Sequence, residues 1–154
     1  MSKFIKFFLV ITLFISSSIF LLPNKQAEAA TSSWWNVKGI SGCQVRVWTD
    51  YTVYTASADT IDSYLESKGN CGRLEYEMWS QMVGSATFYS KEKYKGYFSS
   101  RTPTKTFNLN TFSSKIEGFD HDGVYVYAVV WKAGKKDATY TNVQSLPLLL
   151  KKRK

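Results

Sequence analysis

The sequence predicts an all-β protein, a single antiparallel β-sandwich of about seven strands. Three observations carry that expectation. Beyond residue 30, apolar and polar residues alternate with a period of two, turn-forming residues interrupt the alternation at short intervals, and no linker or second domain is visible in the 154-residue chain.

The first segment is read as a secretion signal peptide over residues 1–29. Lys3 and Lys6 precede an apolar run from Phe7 to Leu22, and the small-residue site Ala27-Glu28-Ala29 follows. A retained membrane anchor is the competing reading, because the run is close to the shortest that spans a bilayer. Ser16, Ser17, Ser18, Pro23 and the small-residue site favour cleavage. One sandwich domain over residues 30–146 and a basic tail over 147–154 are then expected, with no transmembrane segment in the mature chain. Export to a compartment where disulfides persist implies that Cys43 and Cys71 are joined. Two cysteines and one histidine fall short of a four-ligand metal site, so no metal and no cofactor is implied.

Each later element follows from its pattern. In "SSWW", Trp34 and Trp35 are neighbours, so an extended backbone turns only one of them towards a core. In "CQVRVWT", Cys43, Val45 and Val47 share one face and Gln44, Arg46 and Trp48 the other. The stretch "DTIDSYLESKGN" fits a helix by the spacing of Ile61, Tyr64 and Leu65, and equally a strand ending in a Lys68-Gly69-Asn70 turn. The turn chemistry favours the strand, paired as a hairpin with the next one. In "RLEYEMW", Leu74, Tyr76 and Met78 oppose Arg73, Glu75, Glu77 and Trp79. Short strands are expected in "SATFYS", "KGYFSS" and "KTFNLN", separated at Lys91-Glu92-Lys93 and at Arg101-Thr102-Pro103. The strongest run, "DGVYVYAVVWKAGKKDATYTNVQ", reads as a long strand, a turn at Gly134–Asp137 and a Thr-rich partner from Ala138 to Gln144.

Within that run, Gly123, Val124 and Tyr125 resemble the penultimate-strand region of immunoglobulin-like sandwiches of small secreted bacterial proteins, where an acidic residue, a small residue and a tyrosine form a corner. His121 stands at the acidic position, Asp122 lies one place too near the tyrosine, and Tyr127 stands where a cysteine would follow. The resemblance implies an architecture and no activity.

Charge and motif exclude several functions. The formal charge is +8, but three of the twenty basic residues belong to the leader and four to Lys151, Lys152, Arg153 and Lys154. Thirteen basic and eleven acidic residues remain between them. That near-neutral body does not describe a nucleic-acid-binding domain. His121 is the single histidine, and its neighbours Asp120 and Asp122 splay away from it in a strand or turn, so adjacency supplies no catalytic triad. The same stretch lacks the remaining ligands of a calcium loop. Glu75 and Glu77 fit a glycosidase carboxylate pair only as neighbours on one strand face with Arg73 beside them. The protein is read as not an enzyme.

The aromatic residues remain. All five Trp and all ten Tyr lie beyond the leader, but only five of ten Phe. Rings with a polar edge suit half-buried and interfacial places. Tyr125, Tyr127, Val129 and Trp131 share one face of their strand and Val124, Val126, Ala128 and Val130 the other. If the aliphatic row is core, the aromatic row forms a platform with Trp48 or Trp79. If the corner resemblance holds, the tyrosines turn inward. Two classes of function fit: an extracellular, non-catalytic binding module for a glycan, an anionic cell-wall polymer or a surface protein, or a small secreted effector such as a bacteriocin-like toxin or enzyme inhibitor. The basic tail, Lys151 to Lys154, is an expected electrostatic contact to an anionic envelope.

Overall fold

The computed structural model describes residues 29–55, 57–84, 87–113, 123–135 and 140–150. The strands are β1 (Ala30–Thr31), β2 (Trp35–Asn36), β3 (Cys43–Thr49), β4 (Val53–Tyr54), β5 (Thr60–Gly69), β6 (Leu74–Met82), β7 (Phe88–Phe98) and β8 (Lys105–Asn108). One turn of helix, α1 (Asn110–Ser113), precedes β9 (Val124–Lys132), β10 (Thr141–Gln144) and β11 (Leu149–Leu150).

Alternation dictates the two layers. Sheet one runs β1-β3-β5-β8, with β2 also pairing β3, so β1 and β2 together make one interrupted edge. Sheet two runs β10-β9-β6-β7, and its pairings are all antiparallel. The inward rows are those the sequence marks. Val45, Val47, Ile61, Leu65 and Phe107 from sheet one meet Leu74, Met78, Val124, Val126, Ala128 and Val130 from sheet two, each 1% exposed or less. The aliphatic row of β9 is therefore core, and its tyrosines face outward.

The strand reading of residues 60–69 holds, but its partner differs from expectation. β5 pairs β3, with Cys43 opposite Gly69 and Thr49 opposite Ser63, while β6 belongs to the other sheet. The bend after Gly69 is a crossing between layers rather than a hairpin. Gly69 (φ 81°) and Gly72 (φ 62°) take left-handed backbone there, and the disulfide between Cys43 and Cys71 ties the crossing to the start of β3. After the β6–β7 hairpin the chain returns to sheet one as β8, beside β5, and β9 then enters sheet two between β6 and β10.

Two further differences follow from packing. Lys91-Glu92-Lys93 does not separate two strands, because β7 passes through it. The register advances from Trp79↔Lys93 to Gln81↔Tyr89, and Ser90 Oγ accepts from the Ser80 amide (3.1 Å) where β7 carries the extra residues. The start of the expected basic tail over 147–154 is held in the fold: Leu148 is fully buried and bridges Val124, and β11 pairs β4 in parallel.

Candidate functional site

A side chain on the outward face of sheet two is placed by register alone. Across β7, β6 and β9 the facing triplets are Tyr97–Glu75–Trp131, Lys95–Glu77–Val129, Lys93–Trp79–Tyr127 and, beyond the irregularity, Tyr89–Gln81–Tyr125. Extra residues on one strand ordinarily threaten to flip its faces. Here β7 gains two, an even number, so Tyr89 and Tyr97 stay on the same side as Lys91, Lys93 and Lys95.

The centre of this face is aromatic. The Trp79 and Tyr127 rings stack with centroids 6.2 Å apart and planes 12° off parallel, and Tyr125 leans on Tyr127 at 5.8 Å. Trp79 Nε1 donates to Gln81 Oε1 (2.8 Å), which fixes the indole orientation. Burial, and then the nearby Tyr125 and Tyr89 phenols, push the Tyr127 hydroxyl above the ordinary tyrosine range. Tyr127 therefore stays a neutral donor at any physiological pH.

Cations surround that centre. Lys93 Nζ lies 5.4 Å from the Trp79 ring centroid, and the Arg73 guanidinium lies 4.2 Å from the centroid of Tyr97. Lys93 and Lys95 both reach the same oxygen of Glu77, at 2.8 and 3.1 Å. Those hydrogen bonds, Lys93 foremost, hold the Glu77 carboxyl below its usual range against the opposing effect of burial. Glu75 Oε2 accepts from Trp131 Nε1 (3.1 Å). The two carboxylates are thus engaged with separate partners, a lysine pair and an indole.

Trp131 departs from the expected platform: its ring is 3% exposed, so it underlies the face rather than presenting to a ligand. Trp48 departs in another way. It lies on the outward face of sheet one, stacked on Tyr64 at 4.6 Å with planes 13° apart. On that face two rings, Tyr64 and Trp34, carry cations from the same chain. Arg101 sits over Tyr64 (4.7 Å), Arg46 (4.4 Å) and Lys68 (4.3 Å) sit over Trp34, and Arg46 also pairs with Glu66 (2.7 Å). Trp34 and Tyr64 are thus capped from within the chain, as Trp79 and Tyr97 are on sheet two. Neither Trp34 nor Trp35 enters the core: Trp34 is half-buried under its cations, and Trp35 stays 40% exposed at the sheet edge.

Tyr125 is half-exposed on the outer face, so it does not make the inward corner that the local resemblance implies. His121, Asp120 and Asp122 lie outside the described residues, as do Lys151, Lys152, Arg153 and Lys154. Among the described residues no group of three or more metal-ligating side chains gathers, and no helix is long and apolar enough to cross a membrane. Sequence reasoning missed Tyr89 and the β7 lysines as part of the site. The strict alternation Tyr89, Lys91, Lys93, Lys95, Tyr97 was the signal.

Two packed antiparallel sheets with this connectivity define an immunoglobulin-like β-sandwich. Residues 27–148 match the YqgA MG2 macroglobulin domain, and the chain belongs to that family. It is also 44% identical, over 102 residues, to the cell wall-binding protein YqgA of Bacillus subtilis (strain 168); the match covers 66% of this chain and 71% of that protein. No solved structure matches the chain at a significant level.

Proposed function

We propose that this protein works outside the cell as a non-catalytic module that binds a cell-wall polymer through the outer face of sheet two. The observation that carries the reading is the half-buried stack of Trp79 on Tyr127, extended by Tyr125, on an outward face flanked by lysines. Flat rings with polar edges pack on the apolar faces of sugar rings, while hydroxyls and ammonium groups around them meet hydroxyl and anionic substituents. The relationship to a protein named as cell wall-binding supports the same reading. Export rests on the leader-like residues 1–29, and the Cys43–Cys71 disulfide supports an oxidising destination. A non-catalytic role is supported by Glu75 and Glu77, the candidate acid pair, each being committed to its own partner.

Cosedimentation of the mature protein with insoluble cell-wall material tests the proposal. Trp79→Ala combined with Tyr125→Ala and Tyr127→Ala removes the rings while leaving the aliphatic row of β9 in place. The expected result is at least a tenfold loss of retention, as for removal of central aromatic anchors. Undiminished retention of a folded triple variant would reject this face as the binding surface.

A further inference from the structure

The outer row of β7 carries a second kind of chemistry beside the aromatic stack. β7 is the edge strand of sheet two among the described residues, and its outward side chains, Tyr89, Lys91, Lys93, Lys95 and Tyr97, are all exposed. Resting on the cell-wall reading above, we propose that this row is a track for a linear phosphodiester polymer of the wall, its lysines meeting successive phosphates and its two tyrosines closing the ends.

Spacing, charge and residue type support that occupant together. Alternate residues of a strand stand about 6.7 Å apart, a distance that successive phosphates of a short polyol-phosphate chain can match. Two carboxylates of β6 face the row: Glu75 stands opposite Tyr97 and accepts from Trp131, and Glu77 meets the lysines. The Glu77 carboxylate is shared by Lys93 and Lys95, whose side chains remain 54% and 64% exposed, and among the described residues Lys91 makes no ion pair. The row therefore has positive charge in excess and within reach of solvent. Its cations, Lys91, Lys93 and Lys95, are all lysines. An ammonium group is a compact point charge that engages phosphate oxygens from many angles, whereas carboxylate recognition favours the forked guanidinium of arginine. Lysines on a sheet edge also discourage strand-to-strand aggregation; a track differs in that its affinity responds to how many of those charges are free.

Glu77 makes that difference measurable. In Glu77→Gln both lysines lose their anionic partner without losing a hydrogen-bonding neighbour, so a polyanion should bind several-fold more tightly. Replacing Lys91, Lys93 and Lys95 by alanine, together with Glu77→Gln so that no half-buried carboxylate is orphaned, should weaken binding at least tenfold and flatten its salt dependence. The probes are soluble poly(glycerol phosphate) and, for contrast, polygalacturonate, each titrated across a salt series. Insoluble wall, intact or stripped of phosphodiester polymers with hydrofluoric acid, supplies the second arm. The proposal predicts preference for the phosphate polymer, tighter binding by Glu77→Gln, and loss of retention on stripped wall. Equal affinity for the two polymers, or unchanged affinity in either variant, overturns it. Equal retention on intact and stripped wall overturns the track while leaving wall binding intact; retention on neither rejects the cell-wall reading itself.

Discussion

Removing the disulfide should lower stability by an amount the fold allows to be worked out. Cys43 opens β3 and Cys71 follows β5 at a sequence separation of 28, so the bridge closes nearly the whole β3–β5 unit into a loop. On the chain-entropy view a loop of this length restricts the unfolded ensemble by about 3.5 kcal/mol. In the folded state the same ends are already aligned by the ladder that sets Cys43 opposite Gly69. The loss is therefore felt mainly in the unfolded chain. Both cysteines are buried, at 1% and 4% exposure, so alanine is the appropriate replacement because serine would bury a new hydroxyl. For a domain of this size, with an unfolding entropy of about 0.25 kcal/mol/K, the double Cys43→Ala/Cys71→Ala variant should melt roughly 10–15 °C lower. Calorimetry of the oxidised wild type, the reduced wild type and the variant measures it. A midpoint within about 3 °C of the oxidised protein would refute the argument and mean that residual structure in the unfolded chain already holds this loop closed.

Other perturbations test separate parts of the structure. Gly69→Ala places a Cβ 1.9 Å from the Gly42 carbonyl oxygen at a φ of 81°; the crossing must open, and a loss of more than about 2 kcal/mol in urea titration is expected. Asp50 Oδ1 accepts from the buried Tyr54 hydroxyl and from the Asp62 amide, and burial raises the Asp50 carboxyl above its ordinary value. The folded state thus holds this proton more tightly than the unfolded chain, and the group's contribution to stability falls as pH rises from the ordinary carboxylate value through the folded one. Asp50→Asn keeps the acceptor and removes the charge, so denaturant midpoints at pH 3 and pH 7 should move in its favour relative to wild type as pH rises. A shift the other way would contradict the burial assignment. Deleting Lys151 to Lys154 should leave the melting temperature unchanged while reducing the salt-sensitive part of association with anionic envelope material, to which each basic residue contributes on the order of 1 kcal/mol near a charged membrane; sedimentation across a salt series reads it.

How far the sequence reveals the molecule depends on what each pattern encodes. Alternation in β3, β6 and β9 identifies the strands and their core faces, because burial on one side imposes it directly. It does not encode sheet membership. Lys68-Gly69-Asn70 has the chemistry of a hairpin turn, yet Gly69, Gly72 and the disulfide use that chemistry to change layers. Trp48 and Trp79 both occupy outward positions, and only the layer assignment separates them onto opposite faces of the sandwich. β7 was hidden for another reason. Its inward side is apolar at Phe88, Tyr94 and Phe98 but polar and half-buried at Ser90 and Glu92, so Lys91-Glu92-Lys93 reads as a polar connection when it is a strand with a local irregularity. Trp131 shows the limit of parity: its position is outward, but its indole is engaged by Glu75 and buried.

The central claim is that the wall polymer lies on the outer face of sheet two and not on that of sheet one. Hydroxyl-radical footprinting of the mature protein, free and bound to solubilised wall fragments, tests it on the native chain without mutation. Protection is expected at Trp79, Tyr89, Tyr97, Tyr125 and Tyr127, with Trp34, Trp35, Trp48 and Tyr64 oxidised to the same extent in both states. Protection of Trp48 and Tyr64 with no change at Trp79 and Tyr127 would contradict the account and move the binding surface to the opposite sheet.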